Sequence, residues 1–308
     1  MTVEKSAEKS EKASVMRSAD TIFTAVSRPG PVEAGILSKL APTVRVRPRI
    51  GAGVALRCLE TATVSGQPTF LLLHGRGHAA TVWDRWFATL APRARVVALD
   101  LPGFGCSGSA PLTDRTPEAA LAWFVDPLEA VAREEGPLVL IGHSLGGLCA
   151  LEIALRGRAD VQALVLIGAM GMGPVILPSA RLYLRLGPER LARYSSWMRS
   201  ANESEDPISA LRRELYLVRG GRAQGKEAFD LLVPWTGDVF HRADRLSEVK
   251  PRTLLLWGEK DEAFPLPAAM QAAARIPDAT LEVLPTKHSP HLEMSDEAIE
   301  RVALFLKL

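Results

Sequence analysis

Residues 138–155 read LVLIGHSLGGLCALEIAL. Five apolar residues make a run of strand length, and from Leu145 onward an amphipathic helical pattern takes over. Between the two lies Gly142-His143-Ser144-Leu145-Gly146, a G-x-S-x-G placed where a strand turns directly into a helix. So sharp a turn brings neighbouring backbones into close approach, which accounts for the glycines on both sides. It also thrusts the Ser144 hydroxyl out at the carboxyl end of the strand. The plain alternative is a glycine-rich turn carrying an idle serine, but the strand before it and the helix after it favour a nucleophile.

Working outward, short and wholly apolar runs recur: TFLLL (69–73), RVVALD (95–100), ALVLIG (163–168), TLLLWG (253–258) and LEVL (281–284). Apolar on both faces, they suit strands of a buried parallel sheet. Helical stretches alternate with them at 80–91, 145–157 and 296–308. Between 117 and 135 the sequence predicts a pair of helices, the second starting with Asp126 as N-cap, Pro127 at the first helical position and Glu129 at the third. Strand and helix in alternation mean an α/β sandwich with right-handed crossovers. Upstream, TVRVRPRI (43–50) and VALRCLET (54–61) alternate apolar with charged residues around a glycine turn, the pattern of an antiparallel hairpin. The stretch between the strands ending near Gly168 and starting near Thr253 is longer than a crossover needs. It predicts a helical cap at 173–245 inserted into a core made of 43–172 and 246–308. Residues 1–42 are an extension: 1–20 is polar and expected to be disordered, and 21–42 forms small helices packed on the domain or an interaction arm.

Composition narrows the choice of partners. A formal net charge of +2 gives no reason to expect nucleic acid. The three cysteines, Cys58, Cys106 and Cys149, are isolated, without C-x-x-C, and fit a reducing compartment. The N-terminus lacks an apolar signal core, and no run of about 18 apolar residues occurs, so a cytoplasmic protein without a transmembrane segment is expected. No metal-ligand spacing and no phosphate loop is present, so no cofactor and no metal is implied.

Four further segments accompany the G-x-S-x-G: LLLHGRG (71–77), ALDLPGFGCSG (98–108), LLLWGEKDEAFP (254–265) and KHSPHLE (287–293). In this order they resemble the α/β-hydrolase family over about residues 43–308. The resemblance implies a mostly parallel sheet with helices on both faces and an inserted helical cap. It also implies a serine nucleophile, an acid and a histidine in that order along the chain. Ser144 is then the nucleophile. His288, emerging after the strand LEVL, is the base; His241 precedes the acid strand, and His291 is assigned to loop packing. Asp261 is the acid, with Glu259 and Glu262 as its rivals. Backbone amides of Arg76 and Leu145 supply the oxyanion hole. His74 and His143 are expected to be structural, Asp100 a loop anchor and Cys106 a packing residue, while His78 either faces the pocket or does not. The sequence departs from the family pattern at Lys287, where a glycine is usual, and at Glu293-Met294-Ser295, where Glu-x-Pro is usual.

The insert is rich in aromatic residues (Tyr183, Tyr194, Trp197, Tyr216, Trp235) and in arginine (Arg181, Arg185, Arg190, Arg193, Arg199). The aromatics read as cap core with some lining of an apolar pocket. The arginines read as a solvated face or as a contact for an anionic partner. A cofactor-independent serine hydrolase acting on an ester or thioester of a small, largely apolar molecule is the leading expectation. A carbon–carbon bond hydrolase with the same triad and a non-catalytic binding member of the fold are the alternatives.

Overall fold

The computed structural model describes residues 29–40, 42–186, 210–211, 214 and 223–308. Among the described residues, eight strands form one sheet in the order β1-β2-β4-β3-β5-β6-β7-β8. They are β1 (Arg45–Gly51), β2 (Val54–Glu60), β3 (Thr69–Leu73), β4 (Val96–Leu99), β5 (Leu138–His143), β6 (Val161–Ile167), β7 (Arg252–Gly258) and β8 (Ala279–Leu284). The hairpin β1–β2 is antiparallel and joins β4 antiparallel, whereas every pairing from β4 through β8 is parallel. The apolar runs explain this arrangement. In β3, Leu71 and Leu73 enter the core on one side of the sheet, while Phe70 and Leu72 enter the core on the other. A strand apolar on both faces has to be covered twice.

Helices provide that cover. On one side lie α3 (Pro117–Glu134), α4 (Leu145–Arg156) and α7 (Leu266–Ala273). On the other lie α1 (Pro31–Leu40), α2 (Asp84–Leu90) and α9 (Ser295–Leu306). Between β6 and β7 the described part of the insert contains α5 (Pro178–Leu186) and α6 (Ala223–Leu232), and the four-residue α8 (Pro290–Glu293) leads into α9. Among the described residues, no helix is long and apolar enough to cross a membrane.

The expected helix pair at 117–135 is one continuous helix, with Pro127 inside it. Thr116, not Asp126, caps its start, its hydroxyl accepting the Ala119 N–H. A proline in a helix interior costs about 3 kcal/mol through its missing N–H and its ring. Against that, Leu121, Phe124, Val125, Leu128 and Val131 form an unbroken buried stripe, each worth roughly 1.5–3 kcal/mol. Burial wins, and Asp126 becomes a mid-helix partner of Arg156 at 2.6 Å, with Glu129 at 3.1 Å from the same guanidinium.

Of the extension, residues 31–40 form the helix α1, packed on the domain through Leu40. Residues 1–28, including the segment expected to be disordered, lie outside the described residues. So do Tyr194, Trp197, Tyr216, Arg190, Arg193 and Arg199 of the insert and the side chain of Tyr183. Trp235 is half exposed and carries the Arg185 guanidinium over its ring at 4.6 Å. Arg181 donates to the carbonyls of Pro234 and Gly237, both at 2.6 Å, and Arg185 donates to those of Asp230 and Val233. These two arginines staple α5 to the last turn of α6 and the chain after it and are not a solvated face.

Candidate active site

Ser144 occupies the junction of β5 and α4 with φ 52° and ψ −115°. That left-handed backbone is costly for a residue with a side chain and persists only where its surroundings over-determine it. Here the surroundings are close backbones. A Cβ at Gly142 would collide with the Gly146 carbonyl, and one at Gly146 would collide with the carbonyls of Leu73 and His74. The Ser144 amide donates to Ile167 O and its carbonyl accepts the amides of Leu148 and Met170, so the strained residue is held from three sides.

Three of the predicted residues meet at the carboxyl edge of the sheet. Ser144 follows β5, Asp261 follows β7 and His288 follows β8. The Ser144 Oγ lies 3.0 Å from His288 Nε2, and His288 Nδ1 lies 2.9 Å from Asp261 Oδ2. Asp261 is buried and its other oxygen, Oδ1, accepts the amides of Ala263 and Phe264 at 2.8 and 2.9 Å. The carboxylate is therefore fixed from behind, with Oδ2 placed to accept the Nδ1–H hydrogen bond. That leaves Nε2 as an acceptor for the serine hydroxyl, the tautomer that a base requires. Glu259 and Glu262 are exposed on the same loop.

Arg76 and Leu145 stand as follows. Leu145 is the first residue of α4, so its amide is an N-terminal donor with no carbonyl of its own helix to meet. Gly75 packs against the elbow; a Cβ placed on it would stand 3.2 Å from Ser144 Cβ. The backbone entering Arg76 is thus brought beside the serine, while the guanidinium lies over the Phe229 ring of α6 at 4.6 Å. Among the described residues, no group of three or more His, Cys, Asp or Glu side chains converges as a metal site.

Three of the remaining histidines, His143, His291 and His78, cluster beside His288. His143 Nε2 donates to the His288 carbonyl at 3.1 Å, and its ring centre is 4.2 Å from that of His291. His291 is fully buried, 4.7 Å from the Trp83 ring, and Trp86 Nε1 donates to its carbonyl. His78 is buried too, with its ring stacked on His143 at 6.1 Å. His241 accepts the amide of Ala243 on its own turn.

His74 is wholly buried, and burial pushes its pKa down to about 4. Geometry demands the same neutral form: Nε2 accepts the Leu101 amide at 2.9 Å while Nδ1 donates to Gly75 O at 2.7 Å. The unfolded chain takes up a proton here below pH ~6.5 and the folded chain does not. This part of the stability is complete above that pH and is lost as pH falls toward 4. Between pH 7 and 4.5, His74→Gln should lose roughly 2–3 kcal/mol less than the wild type in urea titrations. Parallel losses would show that His74 is not the group responsible.

One contact to the His288 loop was not singled out from sequence. Glu293 reaches back from α8, its Oε2 accepting the Lys287 amide and its Oε1 the Ser289 amide, each at 2.9 Å. It therefore grips the backbone on both sides of His288. The only signal was a carboxylate five residues beyond the histidine, with no proline to complete the usual pattern. Glu293→Gln keeps one acceptor and loses the other, and should lower kcat roughly ten- to a hundredfold by loosening His288. Steady-state kinetics on a short ester tests this; unchanged kcat would leave Glu293 a purely structural group.

An open, mostly parallel sheet covered on both faces, with a serine on a strained turn after the strand at its centre, is the architecture of α/β hydrolases. The model of the alpha/beta hydrolase family matches residues 70–302, and the chain belongs to that family. A 1-acylglycerol-3-phosphate O-acyltransferase of Arabidopsis thaliana is 39% identical over 120 residues. That match covers 37% of this chain and 29% of the plant protein, so the chain spans under a third of it. A 2-hydroxy-6-oxononadienedioate/2-hydroxy-6-oxononatrienedioate hydrolase of Paraburkholderia phymatum is 28% identical over 243 residues, covering 75% of this chain and 84% of the relative. Among known structures, a carboxylesterase from Bacillus subtilis superposes with a TM-score of 0.67 at 20% identity, covering 94% of this chain and 98% of the other.

Proposed function

We propose that the protein is a cofactor-independent serine hydrolase that cleaves an ester or thioester of a small, largely apolar substrate through an acyl-enzyme. The observation that carries this reading is the continuous relay from Ser144 through His288 to Asp261, at 3.0 and 2.9 Å. A serine hydroxyl is a weak nucleophile near neutral pH and needs such a base. His288 Nε2 takes the hydroxyl proton as Oγ bonds to the carbonyl carbon, and the resulting oxyanion is received by the amides of Leu145 and Arg76. The bond to the leaving group breaks as Nε2 returns the proton to it. Water, deprotonated by the same nitrogen, then releases the acid and restores Ser144. Asp261 stays ionised and stabilises the transient imidazolium.

The insert between β6 and β7 acts in this reading as the cap that covers the serine. Its two stems are joined, with Val239 donating to Pro174 O and Arg242 to Gly171 O. A second reading, hydrolysis of a carbon–carbon bond, is favoured by the relative from Paraburkholderia, which the chain covers over 84% of its length. Fluorophosphonate labelling followed by a chain-length series of nitrophenyl esters, run beside a 2-hydroxy-6-oxo-dienoate, separates the two. Ester turnover with the dienoate untouched supports the first; the reverse supports the second.

A further inference from the structure

The helix α1 lies before the region that the family model matches, yet it is wired into the loop beside the serine. Glu33 in its first turn is fully buried. Its Oε1 lies 2.6 Å from Arg57 Nη2 on β2, and the Thr81 hydroxyl donates to the same oxygen at 3.2 Å. Arg57, also buried, faces Asp100 as well: the same Nη2 donates to Oδ1 at 3.0 Å, and Nε lies 2.7 Å from Oδ2. Asp100 in turn accepts the Ala80 amide on Oδ1 and the Cys106 amide on Oδ2, both at 2.6 Å. Burial alone disfavours the Arg57 charge, but Asp100 and Glu33 outweigh it and hold the guanidinium firmly protonated.

These bonds bracket one short segment. The loop leaving β3 begins at His74, fixed by the Leu101 amide, and ends at Ala80 and Thr81, fixed by Asp100 and Glu33. Gly75 and Arg76, the candidate oxyanion backbone, lie between the two anchors. The helix itself is tethered to the insert: Glu214 accepts the amides of Val32 at 2.7 Å and Glu33 at 2.8 Å. That carboxylate also meets the positive end of the helix.

We propose that Glu33 is a positioning residue for the oxyanion loop, holding residues 74–80 in their working geometry through Arg57, Asp100 and Thr81. The kinetic consequence rests on the serine-hydrolase reading above; the structural one does not. No covalent step is assigned to Glu33, which lies behind the loop.

The test is Glu33→Gln in the full chain, assayed with 4-nitrophenyl butyrate, with phenylboronic acid as a tetrahedral adduct of Ser144, and by ¹⁵N NMR of the His74 ring. A loop displaced at its far anchor should lower kcat roughly ten- to a hundredfold, since loss of a whole oxyanion donor costs about 10²–10³-fold. KM should stay within about twofold, boronate affinity should weaken by about the same factor as kcat, and the His74 ring nitrogens should shift. A purely structural glutamate would lower thermal stability and leave the boronate and the His74 signals alone; that result, or a loss confined to KM, overturns the inference. If Glu33→Gln does not fold, Glu33→Asp, which keeps the charge and shortens its reach by one methylene, carries the same readouts. If the wild type neither hydrolyses the ester nor binds the boronate, the serine-hydrolase reading has failed. In that case, His74 nitrogens identical in wild type and variant overturn the positioning role, and shifted ones support it.

Discussion

Ser144→Ala should abolish fluorophosphonate labelling and lower ester turnover by about 10⁴- to 10⁶-fold, the range for loss of a triad nucleophile. The fold should survive, because only one hydroxyl is removed and the backbone bonds of residue 144 to Ile167, Leu148 and Met170 do not involve it. His288→Ala should be as severe, since Nε2 is the group 3.0 Å from the serine oxygen. The double variant should be no worse than either single one, because the two act as one unit. His291→Ala is the contrast. Buried against Trp83 and His143, it should cost thermal stability and about tenfold or less in kcat/KM. Labelling that survives Ser144→Ala, or a His291→Ala variant deader than His288→Ala, would sink the assignment.

Asp261→Asn should lower kcat about 10⁴-fold, and the hydrogen bonds say why. Oδ1 accepts two amides, from Ala263 and Phe264, so the amide oxygen of an asparagine is drawn to that side. Its NH₂ is then turned toward His288 Nδ1, 2.9 Å away, and donates where the carboxylate accepted. Nδ1 must give up its proton, Nε2 takes one, and the ring can no longer accept from Ser144. The same tautomer trap costs a serine protease about 10⁴-fold. The defect should therefore lie in kcat, with KM nearly unchanged. Glu259→Gln and Glu262→Gln, on exposed side chains of the same loop, should change kcat less than twofold. If either proves the more damaging, the wrong carboxylate has been chosen.

Much of this was legible in the sequence for local reasons. The elbow is readable because a strained turn forces glycines at fixed offsets from Ser144. The strands are readable because burial on both faces leaves consecutive apolar positions, as in Phe70–Leu73. The places of Asp261 and His288 followed from family order, and the geometry brings both to Ser144. What was not legible depends on contacts between distant segments. The helix through Pro127 looked like two because local chemistry favours a break there, whereas the apolar stripe it buries is supplied by the rest of the core. Glu33 looked like an ordinary acid in the first turn of a small helix. Its partners Arg57, Thr81 and Glu214 lie 24, 48 and about 180 residues away, and no local pattern encodes them.

Pro48, in the outermost strand β1, bears on how molecules of this protein meet one another. It faces Arg57 across the β1–β2 ladder, and Arg57 turns both its amide and its carbonyl away, to Ser107 and to Asp100. The pair is therefore of the kind without ladder hydrogen bonds, and the backbone of Pro48 points to the open margin. A strand arriving there from a neighbour finds no donor at the middle of the margin. Arg45, Arg47 and Arg49 alternate along the same strand, Arg47 paired with Glu60 and Arg49 with Glu135, and they line the margin with charged side chains. The open margin of the sheet at β1 is thus a poor template for strand addition, a safeguard four strands away from the one that carries the serine and independent of its chemistry.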